Sequence, residues 1–355
     1  MAVLQATDIQ DLANQTLAEL GRFRMVDLMS DIREHLAMSN LMRKHRVKIK
    51  SGKEITWNLM KEADENAKNV GLYNRDKTNV KDGDFTLTLP WRHSQTSCAF
   101  DVREAAMNRS PAKIVDYVKT KRWQSMAGLV SLFENNFWQG VTDSTDDETP
   151  FGLFGYWLKY SATSGFNGTN GNYGSIGGKD ASSSDYSRLA HYTFKYTNAT
   201  DSDLVDSIRD TLVYTMFKPM VANAPVKGYT NGEQRMMYTT WAVQKALEKE
   251  ARGNNDSLGY DLDKYHNAVV IQGVRLREAP WLTHNKSTSH PVVGIDWKQF
   301  HTCILSGRWA VDRGFEEKDG QHNVMENFTD FSYQFRCWDR RQGLWLGAMS
   351  DPLSS

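Results

Sequence analysis

Four carboxylates crowd one short stretch of the chain, Asp143, Asp146, Asp147 and Glu148. Hard cations such as calcium take oxygen donors of this kind when those donors converge. The run lies beyond the end of a long helical pattern, and a solvated loop accounts for it more simply than a metal site. Nine histidines are scattered, with His284 and His290 sharing one polar loop. Cys98, Cys303 and Cys337 are far apart, with no CxxC pair and no histidine at ligand spacing, so neither a zinc ribbon nor a disulfide framework is expected. The chain reads as made in a reducing compartment. Nucleophile elbows, zincin helices, phosphate loops and EF-hand loops are missing from the sequence. The glycines from Gly168 to Gly178 never fall between a strand and a helix, which excludes a dinucleotide fingerprint.

The strongest charge pattern is basic. Arg43, Lys44, Arg46, Lys48, Lys50 and Lys53 surround Val47 and Ile49, a strand period with one basic face. Such a face suits contact with phosphate or with an acidic neighbour. It equally suits an edge strand that lysine protects from pairing.

The elements that would position these residues follow from periodicity. Residues 1–42 read as an amphipathic helical arm carrying Leu12, Leu17, Leu20, Met25, Leu28, Met29, Ile32 and Leu36. A polar stretch, 59–84, leads into a strand of Phe85, Leu87 and Leu89, and Cys98, Phe100 and Val102 alternate again. An excursion of that length is suspect as an ordinary loop and makes sense reaching towards another chain. Ser110-Pro111 starts a helix that Gly140 ends, with Ile114, Val115, Val118, Met126, Leu129, Val130, Phe133 and Phe137 as its apolar stripe. Such a helix is a rod of about 43 Å. Residues 141–200 look irregular, with a Gly/Ser/Asn-rich surface loop at 161–187. Helices are expected around Leu204, Ile208, Leu212 and Met216, and over about 233–252. Strands are expected around Val269–Ile271, within 291–311, at Phe331–Cys337, and at Leu344–Leu346 as a return strand. The class is α+β.

Composition sets the outer bounds. The 355 residues carry 43 basic and 43 acidic side chains, so the formal charge is zero. That is not the footprint of a dedicated nucleic-acid binder, and a neutral subunit packs against copies of itself without long-range repulsion. Hydrophobic residues at 40 % exclude disorder. No apolar run approaches the ~20 residues of a membrane helix, and Met1 to Glu19 lacks the charge and grease of a signal peptide. Eleven tryptophans are many; they suit large subunit contacts as well as a core.

Several segments together carry a resemblance. Leu89-Pro90-Trp91-Arg92-His93 leads to Phe100-Asp101-Val102-Arg103-Glu104 and Asn108-Arg109. Gly165-Phe166-Asn167-Gly168 and Gly177-Gly178 precede a Tyr-Thr segment. His290-Pro291-Val292-Val293-Gly294-Ile295-Asp296-Trp297 and Phe335-Arg336-Cys337-Trp338-Asp339-Arg340-Arg341 follow. In this order, over about residues 45–349, the chain resembles the major capsid proteins of tailed bacteriophages, the Hong Kong 97-type fold.

The resemblance implies an N-terminal arm at 1–42 and an extended β-hairpin loop at 43–105. It implies a peripheral domain with the spine helix at 106–150, an axial domain at 151–330 and a β return to the peripheral domain at 331–355. It implies a structural protein with no catalytic residue and no cofactor, assembling as pentamers and hexamers of a shell around double-stranded DNA in the bacterial cytoplasm. Expected partners are other copies of the chain, a separate scaffolding protein, a portal, a decoration protein and the packaged DNA, with no membrane. Trp57, Tyr73, Arg75, Arg92, Arg340 and Arg341 are the expected subunit contacts. Arg43 to Lys53 are the expected contacts to DNA or a neighbour. An encapsulin-like nanocompartment shell would share the fold. A carbohydrate-binding or glycan-cleaving protein is the reading from another class, since it would use aromatic faces and two carboxylates roughly 5–10 Å apart.

Overall fold

The computed structural model describes residues 34–42, 44–61, 66, 68–72, 83–103, 111–217, 234–253 and 269–352. Two sheets and one long helix organise them. The first sheet is built on β13 (Gln321–Cys337), which carries β11 (Phe300–Asp312) and β12 (Glu316–Lys318) along one side and β4 (Arg92–Asp101) along the other. β1 (Arg46–Ile49) adds to β11 in parallel and forms an edge. The second sheet has seven strands in the order β5 (Gly165–Gly168), β6 (His191–Lys195), β14 (Leu344–Ala348), β10 (Val292–Asp296), β7 (Arg235–Thr239), β9 (Val274–Glu278), β8 (Val269–Ile271). β2 (Glu54–Met60) and β3 (Asp84–Pro90) pair only with each other, as an antiparallel hairpin.

Helix α1 (Pro111–Trp138) lies where Ser110-Pro111 and Gly140 predict it. Gly140 takes φ +63, and a Cβ there would meet the backbone of Gly152 at 2.1 Å, so both the turn and the packing demand glycine. Phe133 and Phe137 are fully buried against the first sheet, while Met126, expected in the stripe, is 38 % exposed. Helices α2 (Asp206–Thr215) and α3 (Trp241–Gly253) lay Ile208, Leu212, Val243 and Leu247 on the second sheet, with Leu204 from the turn Asp201–Val205 ahead of α2. Short helices α4 (Pro280–Asn285) and α5 (Arg340–Gly343) complete the chain. Met216, the last residue of the i+4 series, is 43 % exposed.

Three expectations change. The segment read as the start of a helix at 233 is strand β7 up to Thr239. It runs between β10 and β9 with both faces covered, and a strand buried on both faces loses the alternation that would mark it. Residues 151–158, read as irregular, form a buried turn in which Phe151, Leu153, Phe154, Tyr156, Trp157 and Leu158 are all at most 1 % exposed. The boundary expected at 330/331 falls inside β13, and Leu344–Leu346 does not hairpin onto that strand. β14 instead enters the middle of the second sheet, antiparallel to β10 and parallel to β6. Residues 300–330 accordingly belong with α1 and β4, and residues 344–348 with the second sheet.

That second sheet closes tightly over β14. A Cβ on Gly294 would sit 1.8 Å from the Trp345 ring. G294A should therefore cost about 1–3 kcal/mol, the range for overpacking a filled core. The measurement is the urea midpoint, and an unchanged midpoint would show that Trp345 is free to move aside.

Candidate functional site

The hairpin β2–β3 alternates cleanly. Ile55, Trp57, Leu87 and Leu89 face inward at no more than 5 % exposure, and Glu54, Thr56 and Asn58 face out. Its root is fastened to the body. Trp57 Nε1 donates to the Trp338 carbonyl at 3.3 Å. Gln334 Nε2 donates to the Pro90 carbonyl at 3.2 Å, while its Oε1 accepts from Phe151 N at 2.8 Å. The Gly-rich loop braces the hairpin from the side. Thr88 N donates to the Gly177 carbonyl at 3.2 Å, and Gly177 N donates to Tyr156 Oη at 2.6 Å. Gly177 has φ +57, and a Cβ would stand 2.7 Å from Leu87. Phe85 meets Tyr186 edge-on, and Lys61 pairs with Asp185 at 3.4 Å. The loop read as a surface excursion is thus partly a buttress, with Ile176 and Ala181 buried. Beyond this support the chain runs into the open, where Met60 is 64 %, Val70 59 % and Leu72 91 % exposed beside the exposed polar residues Lys68 and Asn69.

The residues expected at subunit contacts separate into three groups. Tyr73 and Arg75 lie outside the described residues. Trp57, Arg92 and Arg340 are at most 6 % exposed and serve the subunit's own interior. Arg340 donates through Nε to the Trp157 carbonyl at 2.5 Å and through Nη1 to the Leu189 carbonyl at 3.1 Å. Burial lowers its pKa to about 9. Arg92 reaches the Asp146 carbonyl and the Asp147 carboxylate, both at 3.3 Å. Arg341 is half-buried, stacked on Phe166 and Phe217 at 4.3 and 4.8 Å. Of the eleven tryptophans, Trp57, Trp138, Trp157, Trp281, Trp297 and Trp345 are core residues. Large aromatic area stabilises an interior as readily as an interface.

Of the basic run, Arg43 lies outside the described residues. Lys44, Arg46, Lys48, Lys50 and Lys53 are all exposed, with Val47 and Ile49 turned inward. They line the free edge of the first sheet. Near the root of the hairpin a groove of ≈ 730 Å³ is bordered by Trp91, His93, Arg308, Asp147, Glu148 and Asp330. The acidic run thus forms part of that wall; Asp143 and Asp146 also cap local turns through Thr145, Glu148 and Thr149. Among the described residues no three metal-ligating side chains converge, and no helix is long and apolar enough to cross a membrane.

The sequence reading overlooked Glu134. It is 1 % exposed on α1, and its two oxygens accept from Ala37 N at 2.7 Å and Trp138 Nε1 at 2.8 Å. It thereby holds the turn Ala37–Met42, in which Ala37 and Leu41 are buried, and Leu36 just before it is buried too. A glutamate placed four residues before a tryptophan within an apolar stripe was the available signal.

The chain matches no family model and no curated protein. Solved structures do match. The capsid asymmetric unit of cyanophage A-1(L) superposes with a TM-score of 0.60 at 13 % identity, over 94 % of this chain and 98 % of that one. The fold is the Hong Kong 97 type. The capsid of Myoviridae phage XM1 shares this capsid fold at TM-score 0.55 and 8 % identity, over 98 % and 99 % of the two chains. That of cyanophage Pam1 does so at 0.52 and 12 %, over 93 % and 95 %. The capsid fold therefore extends through the hairpin, long helix and both sheets, as the resemblance implied.

Within this capsid fold Glu134 gives a pH dependence. Burial raises its pKa from 4.5 to about 7, against the opposing hydrogen bonds from Ala37 and Trp138. The folded chain therefore binds that proton more tightly than the unfolded chain. The resulting stabilisation is full below about pH 4.5 and is lost as pH rises through about 7, worth about 3 kcal/mol in all. His45 and His301, whose burial lowers their pKa, act in the opposite sense as pH falls. The difference between wild type and E134Q isolates Glu134: wild type should lose stability relative to the variant between pH 4.5 and 7. Parallel urea midpoints across that range would refute this account.

Proposed function

We propose that this chain is a structural shell subunit, the major capsid protein of a tailed phage, and performs no catalysis. The supporting observation is the capsid fold over 94 % of the chain. In this reading α1 and the first sheet are the peripheral domain and the second sheet with α2 and α3 is the axial domain, met by its copies at the pentamer and hexamer axes. The hairpin with its exposed distal end reaches a neighbour. Tyr73, Arg75 and Arg341 remain candidates for subunit contacts. A net charge of zero suits close packing of copies. Many modest contacts per subunit then act together, so a closed lattice is far more stable than any one pair. Scaffolding, portal and decoration proteins are the expected protein partners, and double-stranded DNA the cargo.

The exposed basic edge from Lys44 to Lys53 is proposed to face the DNA, touching phosphates without reading sequence. Size-exclusion chromatography and negative-stain electron microscopy of the purified protein test assembly. Closed shells, or rings of five or six, are expected; a strictly monomeric species across concentration and salt, with scaffolding protein co-expressed, would remove the proposal. R46Q/K48Q/K50Q/K53Q shells should form normally and retain less DNA as salt is raised. Equal retention would take the basic edge off the inner surface.

A further inference from the structure

Five large apolar side chains of the second sheet and its helices are exposed: Val213 at 63 %, Tyr214 58 %, Met216 43 %, Trp241 40 % and Val270 49 %. Two of them mark opposite ends of that sheet. Tyr214 stacks on Tyr192 of β6, near the start of the strand order, and Val270 is on β8, the last strand.

Each end sets an apolar group beside an exposed charge. On α2, Asp210 precedes Val213 and Tyr214 by three and four residues, so all three share the outward face within one turn, about 5–6 Å apart. Thr211, Leu212 and Thr215 turn inward. The cation of the same helix is engaged elsewhere: Arg209 Nη1 donates to Asp206 at 3.0 Å, and its Nη2 lies 3.9 Å from Asp201. At the other end Arg275 of β9 stands directly opposite Val270 in the register, exposed on the same face and about 5 Å away. Ile271 and Val274, the next pair, turn into the core. The two ends thus carry a similar spacing of apolar group and charge, with opposite signs.

A single chain cannot join them, because five strand spacings separate β6 from β8, roughly 24 Å. A two-fold contact made at either end alone would set Asp210 against Asp210 or Arg275 against Arg275, and like charges across a contact cost affinity. Head-to-tail contact joins opposite ends, and repeated about an axis it closes a ring. We infer that the α2 face of one copy, around Asp210, Val213 and Tyr214, docks on the β8–β9 edge of the next copy, around Val270 and Arg275, and that this contact closes the rings of the shell. The inference rests on the shell reading. Local charge complementarity selects a second copy as the occupant. The edge itself agrees: β8 is three aliphatic residues, without the basic side chains that guard the edge at β1.

The test is a charge-reversal cycle, read as the protein concentration at which rings or shells form. D210K sets a lysine against Arg275 and R275E sets a glutamate against Asp210 at every junction, and each should raise that concentration at least about tenfold. D210K/R275E in one chain restores opposite charges at every junction and should come back to within about threefold of wild type. An equimolar mixture of the two single variants should also assemble, since alternating copies then pair opposite charges. Single variants that assemble at the wild-type concentration, or a double variant no better than they are, overturn the pairing while wild-type shells keep the shell reading. Rescue that yields two-fold dimers and no rings of five or six overturns the head-to-tail geometry. Wild type that forms neither rings nor shells, with scaffolding protein co-expressed, removes the shell reading and the pairing with it. If a reversed subunit melts below wild type, D210N and R275Q replace the reversals. The double variant should then be no worse than the poorer single one, and additive losses overturn the pairing.

Discussion

The last turns of α1 hold the two sheets to one another through aromatic contacts. Phe133 stacks on Trp309 and meets Phe331 and Tyr333 edge-on. One turn later Phe137 meets Phe300 and Phe335 of the first sheet and Trp297 beyond it. Trp138 then crosses to the second sheet, against Tyr238 and Trp281. Each ring contributes area removed from water, and edge-to-face geometry adds to that. Because these contacts come from adjacent turns of a single helix, neither sheet can shift without disturbing the other. The long helix is a spine in a physical sense.

Polar groups are built into that spine where apolar ones would pack as well. Asn136 donates to Tyr333 Oη at 3.0 Å, and Glu134 accepts from a backbone N–H ninety-seven residues earlier. Buried polar pairs give direction, because a misplaced partner leaves a desolvated group unpaired. Glu134 thus fixes where the chain enters, and Gln334 fixes where the hairpin leaves.

The hairpin is the element that a closed single-chain core does not explain. Its inner face and root are packed, and the Gly-rich loop braces its flank, yet Met60, Val70 and Leu72 end in the open. A bare two-stranded hairpin is marginal in water, so the buttress is what lets it project. That combination of a rigid base and an exposed end suits a contact completed by another molecule.

Much of this was legible in the residues. The Ser-Pro start and glycine end of α1, the strand alternation of Phe85 to Leu89 and Phe331 to Cys337, and the basic face around Val47 and Ile49 are local signals. Half-buried elements such as Phe85 to Leu89 display their period and caps obey local chemistry, while Phe331 to Cys337 alternates in residue type although both of its faces are buried. The order of segments also carried the fold. What no local pattern could decide was pairing. β7 and β14 are buried on both faces and show no alternation, so their place in the second sheet was set by neighbours distant in sequence. Burial of charge was equally hidden: Arg92, Arg340 and Arg336 look like surface residues by type. Tertiary structure put each in the interior, gave backbone and carboxylate partners to two, and left Arg336 between two tryptophans. Sequence determined the elements because their causes lie within a few residues; the structure decided partners because those causes lie across the fold.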